Sequence, residues 1–185
     1  SETSLINDWI NCLHYSSDNK LYVGTYDGVN CIDLNSSDFQ SYKILPQNVI
    51  YSIYEDTSGI IWIGSSEGLS SWNKETKKIT TYTTINGLPS NTIYAIEGND
   101  DFLWISTNAG ISQFQKNNNK FINYYVGDGL QGNEFYKNAS FKDSQGTIWF
   151  GGMNGITYFN PQDIINPAKK WNIRITDFFL HNSPV

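Results

Sequence analysis

An aromatic residue followed six positions later by a glycine is written four times along the chain, as Tyr22 and Gly28, Trp62 and Gly68, Trp104 and Gly110, Trp149 and Gly155. Successive copies are separated by 40, 42 and 45 residues. A hydrophobic residue follows each second glycine by four, as Ile32, Trp72, Phe114 and Phe159. A period of this size restricts the fold to a stack of supersecondary units, each too small to bury both of its own faces.

The pattern inside a unit has a period of two. In the second copy, Ile50–Glu55, Ile61–Gly64, Leu69–Asn73 and Lys78–Thr83 read as four short strands, with turns at Asp56–Gly59 and Ser66–Gly68. No segment places apolar residues at the 3.6-residue spacing that a helical repeat of similar length requires. Aromatic residues make up 15% of the chain against a single Met, a composition that fits pleated, half-buried sheets. The expected fold is all-β, a β-propeller fragment of four four-stranded blades. The blades fall at residues 7–46, 47–88, 89–131 and 132–165, and 166–185 form a final strand or the start of a following domain. Trp62, Trp104 and Trp149 are read as core. Trp9 and Trp171 lie outside the repeat. The first copy departs by having Tyr22 for Trp and a shortened turn at Asp18–Lys20, the third by "GNDDF" and by Ser106 where the second has Gly64.

The formal net charge is −6, with a single arginine, Arg174. That balance argues against a nucleic-acid partner, which demands a basic footprint. No run of 18 apolar residues and no basic-then-apolar leader is present, so a membrane connection or an export signal is expected only in parts outside this chain. Cys12 and Cys31 read as unpaired strand residues, a bridge within one repeat being the alternative.

Propeller geometry sorts the loops onto two faces. One face receives the turns between second and third strands and the loops "PQN", "NGLPSN" and "GDGLQGNEF" that enter the inner strands. Tyr26, Asp27, Ser66, Glu67, Asn91, Asn108, Asn133, Glu134 and Asn154 fall there. The opposite face takes the Asp-x-x-Gly turns with Lys74, Lys77, Lys78, Lys116 and Lys120. From the first set, Tyr26, Asp27, Glu67, Asn91, Asn108, Asn133, Glu134 and Asn154 are the candidate ligand-binding residues. Aromatic rings stack on sugar faces and amides bond sugar hydroxyls, so these side chains suit recognition of an oligosaccharide. No catalytic residue, metal site or cofactor is expected. The two histidines, His14 and His181, have no partner at triad or metal-ligand spacing, and no Gly-x-Ser-x-Gly elbow occurs. A sialidase would need an arginine cluster, and in its Asp-box Asp and Gly are two apart rather than three. Two facing carboxylates of another propeller glycosidase, such as Glu67 and Glu134, are not placed together by anything in the sequence.

The motif Asp56-x-x-Gly59-x-Ile61-Trp62-Ile63-Gly64-x-x-x-Gly68-Leu69 resembles the two-component regulator propeller repeat. The fourth copy resembles the last blade of such propellers, and "IRITDFFLHNSPV" resembles the first strand of the immunoglobulin-like Y_Y_Y domain that follows them. The resemblance implies the periplasmic sensor region of a Bacteroides-type hybrid two-component system, non-catalytic in itself, with a histidine kinase downstream. It also implies a seven-bladed whole. Four blades alone would leave flanks that self-associate, two arcs closing an eight-bladed ring, or that meet in a receptor dimer. A protein-interaction scaffold is the alternative reading, and a propeller glycoside hydrolase the third.

Overall fold

The computed structural model describes residues 4–36, 41–45, 47–164, 179–180 and 183–184. Four sheets follow one another along the chain. The first contains β1 (Ile10–Tyr15), β2 (Lys20–Thr25), β3 (Gly28–Asp33) and β4 (Ser41–Ile44). The second contains β5 (Ile50–Glu55), β6 (Ile60–Ser65), β7 (Gly68–Asn73) and β8 (Ile79–Tyr82). The third contains β9 (Ile93–Gly98), β10 (Phe102–Thr107), β11 (Gly110–Gln115) and β12 (Lys120–Tyr124). The fourth contains β13 (Phe135–Lys142), β14 (Ile148–Gly152) and β15 (Gly155–Phe159). Within each sheet consecutive strands are antiparallel neighbours, so the fold is the all-β propeller that the repeat predicts. The fourth blade has three strands among the described residues rather than four. Beyond it the structure describes only a small hairpin, β16 (Phe179–Leu180) with β17 (Ser183–Pro184). Trp171, His181 and most of the segment that resembles the immunoglobulin-like domain lie outside the described residues.

The four anchors are equivalent by register. Tyr22 pairs with His14 and Cys31, Trp62 with Tyr54 and Ser71, Trp104 with Glu97 and Gln113, Trp149 with Phe141 and Tyr158. The turn glycines need a backbone that L side chains avoid: φ is +110° at Gly28, +128° at Gly68, +115° at Gly110 and +124° at Gly155.

Burial happens between blades. One core joins Tyr22, Val29, Cys31 and Ile44 of the first blade to Ile50, Ile61, Ile63 and Trp72 of the second. A second core joins Trp62 and Leu69 to Ile93, Ile96, Leu103, Ile105 and Phe114. The third joins Ala95, Trp104 and Ile111 to Phe135, Ile148 and Phe150. The first three anchors each meet an aromatic of the next blade, Tyr22 on Trp72 at 5.9 Å, Trp62 on Phe114 at 5.5 Å and Trp104 on Phe159 at 4.6 Å between ring centroids.

Trp149 departs from its reading as core. It is half-buried and stacks on Tyr158 of its own blade at 4.6 Å, because no described blade follows it. Both ends of the stack are open. Ile156 is 63% exposed, while its register equivalents Val29, Leu69 and Ile111 are at most 1% exposed. Ile10 is 49% exposed, against at most 2% for Ile50, Ile93 and Phe135.

The structure moves the shortened turn from the first blade to the third. In the first, Ser16 N–H bonds the Lys20 carbonyl, the same reach as Asp56 to Ile60 and Asp143 to Thr147, whereas Asn99 reaches only to Phe102. Ser106 replaces a glycine at no steric expense. A Cβ on Gly64 would collide with Ser52 Oγ and come within 2.7 Å of Ile93 Cγ2, but the residue paired with Ser106 is Ala95.

Candidate functional site

Several of the predicted residues shape the loops that enter the inner strands. Asp27 accepts the Gln47 N–H at 2.9 Å, tying the first blade's turn to the loop entering the second. Asn91 accepts the Thr84 N–H at 2.8 Å and Asn133 the Val126 N–H at 2.9 Å, each folding its loop around a one-turn 3-10 helix, Thr84–Asn86 and Val126–Asp128. Asn154 offers its N–H to Gln131 at 2.8 Å, and the Glu134 carbonyl accepts the Met153 N–H at 3.1 Å. Glu67, Asn108 and the Asn154 side chain stand exposed. Tyr26 is 39% exposed, with Trp9 edge-on at 5.4 Å and the Lys137 ammonium 5.8 Å from its ring.

A second set of side chains lies at the mouth of the channel between the inner strands. Each inner strand carries a bulge at the same place, between Ile10 and Cys12, Ile50 and Ser52, Ile93 and Ala95, and Phe135 and Ser140. A bulge frees one residue from the ladder and re-aims it. The freed residues are Asn11, Tyr51 and Tyr94, and in the fourth blade the bulge widens to include Tyr136, Lys137 and Asn138. Tyr51 and Tyr94 meet edge-to-face at 5.5 Å. Asn11 donates to the Ile50 carbonyl at 2.9 Å, and Asn138, with φ +58°, donates to the Asn11 carbonyl at 3.1 Å. A cavity of about 440 Å³ runs down among the four inner strands, reaching Tyr51, Tyr94, His14, Glu97 and Asn138. Strict alternation hides these bulge residues. The repeated Ile-Tyr or Phe-Tyr pair at 50–51, 93–94 and 135–136 is the signal that marks them.

The cavity's titratable groups do not assemble a nucleophilic site. Burial pushes the Cys12 thiol up to about 12, so it stays protonated at neutral pH. Burial lowers His14, against the opposing pull of Glu55, whose carboxylate lies 3.6 Å from Nε2. Burial raises Glu97, opposed by its hydrogen bond with Ser140 and by Lys142. The carboxylate near His14 is held elsewhere too, accepting from Ser17 and from Lys74 at 2.7 Å.

On the opposite face two of the loop lysines are inter-blade clamps. Lys74 bonds Asp18 of the first blade at 3.1 Å, and Lys116 bonds Asp56 of the second at 2.8 Å.

Comparison with known proteins accords with this architecture. Residues 44–67 match the family described as two component regulator propeller, so the chain carries that repeat. The chain is 27% identical over 138 residues to histidine kinase P4 of Formosa agariphila, covering 75% of this chain and 7% of that protein. It is similar in structure to the extracellular domain of a hybrid two component system from B. thetaiotaomicron, with a TM-score of 0.73 and 22% identity, covering 88% of this chain and 22% of that one. Virginiamycin B lyase from Staphylococcus aureus shares the fold with a TM-score of 0.61 and 20% identity, covering 82% of this chain and 55% of the lyase. The chain thus spans a small part of the histidine kinase and of the extracellular domain it matches.

Proposed function

We propose that this chain is a ligand-binding segment of the extracytoplasmic sensor region of a hybrid two-component receptor, without catalytic activity of its own. The ligand we assign to it is an oligosaccharide in the periplasm. The observation that carries the reading is the channel mouth. There Tyr51 and Tyr94, meeting edge-to-face, stand with the amide of Asn138 along a cavity of about 440 Å³, large enough for a sugar. The similarity to extracellular domains of hybrid two-component systems supports the receptor context. Binding would act on the kinase only through a difference in affinity between two arrangements of the receptor.

A propeller neighbour is a lyase, so cleavage is the competing outcome, and the Cys12 thiol, kept protonated by burial, is no nucleophile for it. A protein-interaction scaffold is favoured by one observation, the uncovered apolar flanks at Ile10 and Ile156. Calorimetric titration with a panel of neutral and acidic oligosaccharides tests the proposal, followed by chromatography of the sugar. Saturable binding with the sugar recovered intact is expected. Cleavage of the bound sugar, or no binding across the panel, would contradict it.

A further inference from the structure

Blades two and four seat the indole N–H of the anchor tryptophan on a turn aspartate. Trp62 Nε1 donates to Asp56 at 2.8 Å and Trp149 Nε1 to Asp143 at 3.4 Å. Blade three breaks this arrangement in three places. Its turn residue is Asn99, whose Oδ1 is taken by the N–H groups of Asp101 and Phe102 at 3.0 and 2.9 Å, which leaves only its NH₂ end, a donor. Trp104 is 1% exposed, yet its Nε1 has no hydrogen-bond partner among the described residues. The lysine that covers the second blade's carboxylate, Lys116, has Pro161 as its counterpart in the fourth blade. Asp56 is accordingly 6% exposed, whereas Asn99 is open to solvent.

Beside these residues lies a cleft of about 210 Å³ at the seam of blades three and four, bounded by Asn99, Trp104, Lys142, Gln145, Asn160 and Gln162 among others. Among the described residues, no Asp or Glu lines it. Of the neighbouring carboxylates, Asp100 is turned to the Thr57 hydroxyl and Asp143 to Trp149, while Glu97, outside the cleft lining, feels the Lys142 charge. Lys142 is anchored by a 2.6 Å bond to the Gly98 carbonyl, which keeps its charge at the wall. The wall therefore concentrates donors and positive charge where the sister blade holds a carboxylate, and buried donors require an acceptor.

We infer that this cleft binds a carboxylate carried by a ligand, which takes the place that Asp56 fills in blade two, with Trp104 and Asn99 as donors and Lys142 as counter-charge. The inference does not depend on the sugar-binding reading of the channel mouth. A small free carboxylate and a uronate residue of an acidic sugar share this chemistry, and the test separates them.

The probe is the ¹⁵N–¹H signal of the Trp104 indole, assigned by its loss in Trp104→Phe and followed during titration with acetate, glucuronate, glucose and chloride at constant ionic strength. Acetate and glucuronate should shift it saturably, while glucose and chloride leave it in place. Glucuronate binding at least about tenfold tighter than acetate supports a uronate ligand, and equal affinity supports a small carboxylate. In Asn99→Asp the signal should begin at the shifted position and lose the titration, with the Trp62 indole signal unmoved as a check on the fold. A Trp104 signal that ignores carboxylates, follows chloride equally, or titrates unchanged in Asn99→Asp would overturn the inference.

Discussion

Asp56 performs two tasks with its two oxygens. Oδ1 accepts the Ser58 and Ile60 N–H groups and shapes the turn, while Oδ2 accepts from the Trp62 indole and from Lys116. Burial raises its pKa, but the bonds from Lys116 and Trp62 outweigh burial and hold the carboxyl below its ordinary value. A depressed folded-state value means stability that is present above the unfolded carboxylate pKa of about 3.9 and lost as pH falls through the folded one. Asp56→Asn keeps the turn acceptor but sets a donor against an indole and an ammonium. The expected loss is about 1–3 kcal/mol in urea unfolding at pH 7, shrinking toward zero at low pH, where the wild-type carboxyl is itself protonated. An equal loss at every pH would contradict the ionic part of this assignment. The turn role of Asp56 was legible in the Asp-x-x-Gly spacing. Its second role was not, because Lys116 stands 60 residues further along the chain. Tyr51 and Tyr94 escaped notice for a related reason: a bulge shifts the alternation by one residue, so period-two reading assigns the wrong face.

At the scale of the blade, one repeat position tests whether stacking holds the sheets. Leu69 and Ile156 are equivalent by register, the first fully buried under blade three and the second 63% exposed. Leu69→Ala should cost about 2–5 kcal/mol, whereas Ile156→Ala should change stability by no more than about 0.5 kcal/mol, both by denaturant unfolding in dilute solution. Similar costs at the two positions would contradict inter-blade packing as the source of stability. Gly64→Ala places a methyl against Ser52 and within 2.7 Å of Ile93, and about 1–3 kcal/mol of destabilisation is expected by the same measurement. Strand existence and the anchor positions were legible because four copies repeat the same error-tolerant pattern. The exposure of Trp149 was not, since it depends on what lies next to the blade rather than within it.

Across the whole molecule, the flanks around Ile10 and Ile156 are the faces that other blades use to pack, left uncovered at both ends of the stack. Large exposed apolar patches are uncommon on monomeric proteins, so concentration-dependent self-association is expected by light scattering and should weaken in Ile10→Asp and Ile156→Asp. A monodisperse monomer at high concentration would contradict it. The propeller was legible from the repeat period together with the two-residue alternation inside each unit. The channel mouth that carries the proposed function was not, because it is assembled from one bulge per blade. The measurement that tests that function most directly is oligosaccharide titration of the chain against Tyr51→Ala, Tyr94→Ala and the loop-face control Glu67→Ala. Binding that falls at least about tenfold in both tyrosine variants and persists in Glu67→Ala is the predicted result. Binding indifferent to both tyrosines would contradict a sugar site at the channel mouth.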